Sequence, residues 1–341
     1  MKLGAIGDVV MAIPAVRALY DKGFEIHWVC GQAARPLLES YSWINLILTN
    51  DKDLLLGNPF QRANRIFRLW SKIAFRRFDL CATLYSDWRY RVLTLPVWAR
   101  RKLSLSRRGR STMLVPARHH TDELARILLS LEDTCRELSI PPVRPDQLPP
   151  SPILPKTAHA RVAIVPGGAK NLLREQYLRR WPIESYVELA RRLLDRDWEV
   201  VLIGGPEDEW VKAYFRDLPT TDCIGRLSIP EVVAVCDVCD AAVSHDTGPL
   251  HLAGLSKACL IGIFGPTNPF TFIPRRPFAL GIWGGQGFAC RPCYDGRDFA
   301  PCSLNNCMRG ISPELVLREI DDLLDARSKG EFVNWGVSSS K

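Results

Sequence analysis

The chain has 341 residues, 47% of them hydrophobic and 24% charged, with a formal net charge of +8. This composition excludes a disordered chain, and the length suits two domains that each bury a core. No apolar run reaches the ~18–20 residues that span a bilayer, and no secretory leader pattern opens the sequence, so the chain reads as cytoplasmic.

From the amino end, a Gly-rich turn at residues 4–7 precedes a helix predicted from about Val9 to Lys22. Asp8 falls at the helix start, where a carboxylate can cap free amides or face a ligand. A strand follows at Glu25–Cys30. Only Met1, Lys2 and Leu3 stand before the turn, too few for the full first strand of a Rossmann-like sheet. The expectation is either coding sequence upstream or a first strand cut very short, because strands left without a neighbour carry unpaired backbone groups at ~1–3 kcal/mol each when buried.

Between Arg62 and Arg118 lie 15 Lys or Arg residues and only two acids, Asp79 and Asp87. A single-signed patch of this kind implies an anionic partner. Within it Arg62, Arg65, Arg68, Lys72 and Arg76 recur at helical spacing, with Ile66, Leu69, Trp70, Ile73 and Phe78 largely on another face. That pattern reads as a basic amphipathic helix on an anionic membrane surface, or as a solvated charged face over a core. Arg100-Arg101-Lys102 and Arg107, Arg108 and Arg110 extend the basic character. Residues 141–155 hold seven prolines and read as a stiff linker. The expected domains are thus 1–140 and 158–328, joined by 141–157, with a disordered tail at 329–341.

After the linker, four apolar runs each end in a loop signal. Arg161–Val165 leads into Pro166-Gly167-Gly168, and Glu199–Ile203 into Gly204-Gly205-Pro206. Asp240–Ser244 leads into His245-Asp246-Thr247-Gly248, and Ala258–Phe264 into Gly265-Pro266-Thr267. Helical patterns lie between them, at Ile183–Arg196 and Pro230–Val238, and an amphipathic run closes the domain at Pro313–Arg327. Strands alternating with helices imply an α/β parallel sheet, which gathers ligands past the carboxyl ends of its strands. Asp246-Thr247-Gly248 supplies a carboxylate, a hydroxyl and an open backbone amide at a helix start, a setting that favours a phosphate.

These motifs carry a family likeness. Gly4-Ala5-Ile6-Gly7-Asp8-Val9-Val10 with Ala12-Ile13-Pro14-Ala15-Val16-Arg17-Ala18-Leu19 resembles the opening of glycosyltransferase family 9, the ADP-heptose:lipopolysaccharide heptosyltransferases. Asp246-Thr247-Gly248-Pro249-Leu250-His251-Leu252-Ala253 resembles its second signature. Pro166-Gly167-Gly168, Trp181-Pro182 and Phe264-Gly265-Pro266-Thr267-Asn268-Pro269 fall in the same order as in the family. The resemblance implies a GT-B fold of two Rossmann-like doubly wound domains. It also implies a sugar, heptose from ADP-heptose, moved with inversion to an acidic glycolipid or lipopolysaccharide-core acceptor at the inner membrane face.

By the same resemblance Asp8 matches the general base, while Gly167, Gly168, Thr247 and Gly248 lie along the diphosphate. Asp246 and His251 match site positions, with Asp246 near the donor sugar. Arg179 falls where the family carries a diphosphate-binding Lys, with Arg180 as an alternative. Glu209 matches the ribose-binding carboxylate, and the backbone near Leu227 would meet the base. Chemically, arginine and helix-start amides can neutralise a leaving diphosphate, so no metal is required for transfer.

Eleven cysteines are too sparse for a disulfide scaffold. Cys30, Cys81, Cys135, Cys223, Cys236, Cys239 and Cys259 read as small core residues. Cys290, Cys293, Cys302 and Cys307 are spaced to hold a structural Zn²⁺, to form a redox pair, or simply to pack. Other functions stay open. A nucleotide-sugar epimerase of the same fold would need more carboxylates and histidines in its site, and a relative that binds the donor without turnover would not need Asp8. A basic nucleic-acid-binding protein would use Trp70, Trp88, Tyr90 and Trp98 as stacking platforms but leaves the Gly loops unexplained, so no nucleic-acid partner is expected.

Overall fold

The structure, a computed structural model, describes residues 1–85, 87–105, 118–131, 137–151, 154, 159–170, 174–294 and 298–339. The expected basic residues Arg107, Arg108 and Arg110, and Cys135, lie outside them. The chain divides into two compact units, Met1–Gln147 and Leu148–Lys341.

The first unit holds two parallel pairs, β1 (Ile26–Cys30) with β2 (Ile44–Leu48) and β3 (Arg77–Thr83) with β4 (Trp98–Ser104). Met1–Leu3 lie between the pairs and hydrogen-bond to both. Lys2 N donates to Val29 O and Gly31 N to Leu3 O on one side, while Met1 N donates to Ala82 O and Leu84 N to Met1 O on the other. Met1–Leu3 therefore stand in the central position between the two pairs. Leu3, Val29, Ile47, Leu69 and Ile73 share one core. A cavity of about 410 Å³ opens at the amino ends of β1 and β3, beside Met1, His27 and Phe78.

The Pro-rich stretch is not wholly a linker. Tyr41 Oη donates to Val143 O at 2.8 Å, and Asp146 accepts from the backbone N and Oγ of Ser42 at 2.8 and 2.7 Å. Prolines stiffen the backbone without excluding polar contacts from the residues among them, so residues up to Gln147 fold with the first unit.

In the second unit β5 (Arg161–Val165), β6 (Glu199–Leu202), β7 (Thr221–Asp222), β8 (Ala241–His245), β9 (Cys259–Phe264), β10 (Ala279–Trp283) and β11 (Gly336–Ser339) form one sheet. Their order is β11-β10-β9-β8-β5-β6-β7, and every pairing is parallel. β5, β8 and β9 are buried along their whole length, which is why each reads as an unbroken apolar run. The tail corrects an expectation. Residues 336–339 are ordered, pairing with β10 from Leu280↔Gly336 to Trp283↔Ser339. The tail's own sequence carries no strand signal. The exposed edge of β10 offers backbone partners, and the tail satisfies them.

Among the described residues no helix is long and apolar enough to cross a membrane.

Candidate functional site

In the second unit β8, β5 and β6 are neighbours, so the loops at their carboxyl ends converge. Asp208, which the sequence reading passed over, joins two of them. Its carboxylate accepts from Gly168 N at 2.7 Å and from Gly205 N at 2.8 Å, and the residue is buried. It is the third residue of a 3-10 turn that Pro206 opens, with Gly205 as the cap. An acid three places after a Gly-Pro turn start was the available signal. A Cβ at Gly167 would come within 2.3 Å of Asp208 Cγ, so this loop position needs glycine. Gly168 has φ +85° and lies against Thr247. The first two expected diphosphate-loop residues are thus fixed by one carboxylate and one threonine.

The helix opening at Gly248 runs only to Ala253. A six-residue helix contributes local amides more than a long dipole. Thr247 is its N-cap but its side chain makes no capping bond. Its hydroxyl instead donates to His245 O at 3.3 Å. His251, on the same helix, is buried.

The structure separates the two candidate arginines. Arg180 donates through Nε and Nη2 to Gly168 O at 3.1 and 2.8 Å, pairs with Glu175 at 2.8 Å and lies over the Trp210 ring. It holds the glycine loop in place. Arg179 has its guanidinium 3.5 Å from Asp246 and rests on Tyr294 and Phe299, 5.2 and 5.4 Å from the ring centroids. Three polar atoms are buried here without a hydrogen bond among the described residues: Arg179 Nε, Asp246 Oδ2 and, on the next loop, Thr267 Oγ1. Buried polar groups left unsatisfied are costly and mark places made for a polar partner.

Behind the loops His245 is fully buried, its Nδ1 2.9 Å from Tyr186 Oη, which itself accepts from His245 N at 3.1 Å. Burial, then the nearby Arg180 and Arg179 charges, push its pKa down from the ordinary 6.5 to about 3. The native state therefore holds it neutral, while the unfolded chain takes up a proton as pH falls below about 6.5. Stability from this group is complete above that pH and is lost on the way down towards 3. Urea unfolding should show a loss of about 1 kcal/mol per pH unit between roughly pH 6 and 4 that His245→Gln flattens. Equal slopes for parent and variant would refute the assignment.

Glu209 is exposed and paired with Lys212 at 2.8 Å. Its Oε1 lies 3.0 Å from where a Cβ on Gly225 would stand, two residues before half-buried Leu227. Glu209 and Leu227 therefore belong to one loop region beyond β6 and β7, consistent with a shared ligand.

In the first unit Asp8 is not at the cap. The helix runs Ile6–Tyr20 with Ala5 as N-cap, and Asp8 is its third residue. Its Oδ2 lies 3.0 Å from Lys2 Nζ, with the Asp8 side chain 42% exposed and that of Lys2 4%. Lys2 Nζ also donates to Leu84 O at 3.2 Å and sits 4.4 Å from the Tyr85 ring centroid. Tyr85 Oη accepts from Leu3 N and Gly4 N and donates to Gly4 O. The loop before Asp8 is thus held from the side by a buried lysine and a tyrosine, neither legible as a site residue. The only signal was a lysine inside an otherwise apolar strand. The arrangement presents an anchored yet accessible carboxylate, the geometry a general base requires.

The basic helix forms over Pro59–Ile73 behind an Asn58 capping box. Its apolar face does not lie free for a membrane. Leu69 and Ile73 are in the core and Ile66 and Trp70 pack on it, because burial within the unit removes that surface from water. Arg62 donates to Leu55 O, Arg65 pairs with Asp53 at 2.7 Å, and Lys72 donates to Leu48 O. Arg68 and Arg76 are exposed.

Cys293 and Cys307 are half-buried, Cys290 and Cys302 exposed, and all four are free thiols. Burial first, then neighbouring thiols, push Cys293 and Cys307 up, Cys307 to about 11. Among the described residues no group of three or more ligating side chains is disposed to hold a metal ion. The same segment carries Tyr294 and Phe299 under Arg179, and its backbone bonds from Cys293 and Tyr294 to Pro266 O.

The sequence pattern of glycosyltransferase family 9 (heptosyltransferase) matches residues 160–301. The lipopolysaccharide core heptosyltransferase OpsX of Haemophilus influenzae is 24% identical over 291 residues, 80% of each chain. Two solved structures share the fold at a TM-score of 0.72. One is a family 9 glycosyl transferase from Veillonella parvula, 19% identical over 94% of this chain and 95% of that one. The other is the E. coli ADP-heptose lps heptosyltransferase II, 18% identical over 96% and 98%. With the glycine loops and the Asp246-Thr247-Gly248 turn in place, residues 160–301 carry the family 9 pattern, and the chain is similar to family 9 heptosyltransferases over most of its length.

Proposed function

We propose that the chain is an inverting glycosyltransferase that moves heptose from ADP-heptose to an acidic, lipid-linked saccharide of the lipopolysaccharide core at the inner membrane face. The observation that carries this reading is the pair of half-buried Arg179 with buried Asp246 beside the Gly168 and Thr247 loops, where polar atoms lack partners. A diphosphate supplies acceptor oxygens for Arg179 Nε and Thr267 Oγ1, and a sugar hydroxyl can donate to Asp246 Oδ2. Asp8 takes the proton from the acceptor hydroxyl as it attacks the anomeric carbon. Arg179, the Thr247 hydroxyl and the backbone amide at Gly248 take up the charge of the leaving nucleoside diphosphate. Glu209 and the chain near Leu227 hold ribose and base. The names of the relatives support heptose and ADP as donor parts.

Calorimetry with ADP, UDP and GDP tests the donor side. ADP should bind at least ~10-fold more tightly than the others, a difference of about 1.4 kcal/mol. Equal affinities would remove the ADP assignment. Transfer from ADP-heptose to a delipidated core saccharide tests the reaction, and hydrolysis or epimerisation alone would replace it. The step is proposed to need no metal, so excess chelator should leave the rate within about twofold. Metal analysis of the purified chain decides the separate matter of the four thiols: below ~0.2 zinc per chain they hold none.

A further inference from the structure

We infer that the outer side of the helix Pro59–Ile73, with the turn after it, is a surface that inserts into an anionic lipid bilayer through Phe60, Phe67 and Phe75. The inference deepens the proposed function and rests on its lipid-linked acceptor. With Leu69 and Ile73 committed to the core, three phenylalanines still stand in water, 82%, 70% and 88% exposed. Phe60 and Phe67 are seven residues apart, two helical turns or about 10 Å along one face. Phe75 has φ +65°, a left-handed conformation that side chains other than glycine and asparagine rarely adopt. The turn thus carries backbone strain at the most exposed of the three phenylalanines.

The charge beside these rings selects the occupant. Arg68 follows Phe67, and Arg76 and Arg77 follow Phe75, all exposed. The Arg77 guanidinium lies 5.8 Å from the Trp98 ring centroid, and Trp98, its register partner across β3 and β4, is 59% exposed. Aromatic rings interleaved with arginines are suited to the boundary between headgroups and acyl chains, with the rings below and the cations among anionic headgroups. A second copy of the chain is the poorer occupant. A two-fold contact through this patch would set arginines against arginines.

The test uses the full chain, with neither donor nor acceptor, in co-sedimentation with phosphatidylglycerol/phosphatidylethanolamine vesicles and with phosphatidylcholine vesicles. The parent should partition at least ~10-fold better onto the anionic vesicles. The triple change F60S, F67S and F75S should lower that partition at least ~10-fold, with the thermal midpoint unmoved. R68Q with R76Q and R77Q should abolish the preference for anionic lipid. If the triple serine variant is unstable, Phe75→Ser alone should lower binding about threefold. A serine variant that sediments like the parent overturns the inference. So does a parent that is a dimer in solution and becomes monomeric in the serine variant. Because no saccharide enters the assay, its failure leaves the transfer reaction standing, and failure of transfer to a delipidated acceptor leaves the lipid surface standing.

Discussion

Asp8→Asn is expected to lower kcat by about 10³-fold while leaving ADP affinity within about twofold. Asparagine keeps the shape of the side chain and its place in the first turn of the helix Ile6–Tyr20, but it cannot accept the acceptor's proton. The loss should therefore fall on the chemical step alone. Lys2 gives the prediction a second arm. Its ammonium lies 3.0 Å from Asp8 and is buried against Tyr85 and the Leu84 carbonyl. Lys2→Met leaves the base present but removes this ion pair, and a misplaced catalytic group loses rate steeply. About 10- to 100-fold in kcat is expected, with partial rescue by Lys2→Arg. That outcome would make Lys2 a positioning residue. An Asp8→Asn enzyme retaining more than about a third of the parent's single-turnover rate would end the general-base assignment.

Arg179→Ala should cost about 10²- to 10³-fold in kcat, the range for removing one preorganised group that meets developing charge. The guanidinium is held by Asp246 on one side and by Tyr294 and Phe299 on its face, so it needs no reorganisation as the diphosphate leaves. Arg179→Lys should recover little of this. An ammonium neither stacks as a plane on the two rings nor presents a fork to two oxygens. Arg180→Ala makes the control, because Arg180 grips the Gly168 carbonyl and Glu175. It should raise the KM for the donor about 10-fold with a smaller effect on kcat, as expected if the loop it holds binds substrate and transition state alike. The reverse pattern, a larger kcat loss at Arg180 than at Arg179, would exchange their roles. Full activity in Arg179→Lys would show that a point charge is enough.

Both predictions draw on residues that were unequally visible in the sequence. The second unit was legible because its strands are buried on both faces. Arg161–Val165 and the run ending at Phe264 are unbroken apolar segments closed by Gly-Pro or Gly-Gly turns, and local pattern alone marks them. Asp246, Thr247 and Gly248 follow such a run directly, so their place at a strand end needed no knowledge of the fold. The choice between Arg179 and Arg180 was not legible. Two adjacent arginines are equivalent in sequence, and only the fold puts the Tyr294 and Phe299 rings under one and the Gly168 carbonyl before the other.

The basic helix shows the opposite failure. Its periodicity was read correctly, but periodicity cannot say whether an apolar face meets lipid or the protein's own core. Leu69 and Ile73 went to the core, and the surface left for a partner carries Phe60, Phe67 and Phe75, which the spacing did not single out.

The sequence by itself determined the parallel-sheet class, the order of strand and loop, and the residues standing at each strand end, because those follow from contacts between near neighbours in the chain. Only the tertiary structure decided that Asp208 ties two glycine loops, that Lys2 holds Asp8, and that residues 336–339 complete the sheet. Each of those pairings joins groups whose partner lies on another loop or strand, and a side chain's polar or apolar character does not name the partner it will meet.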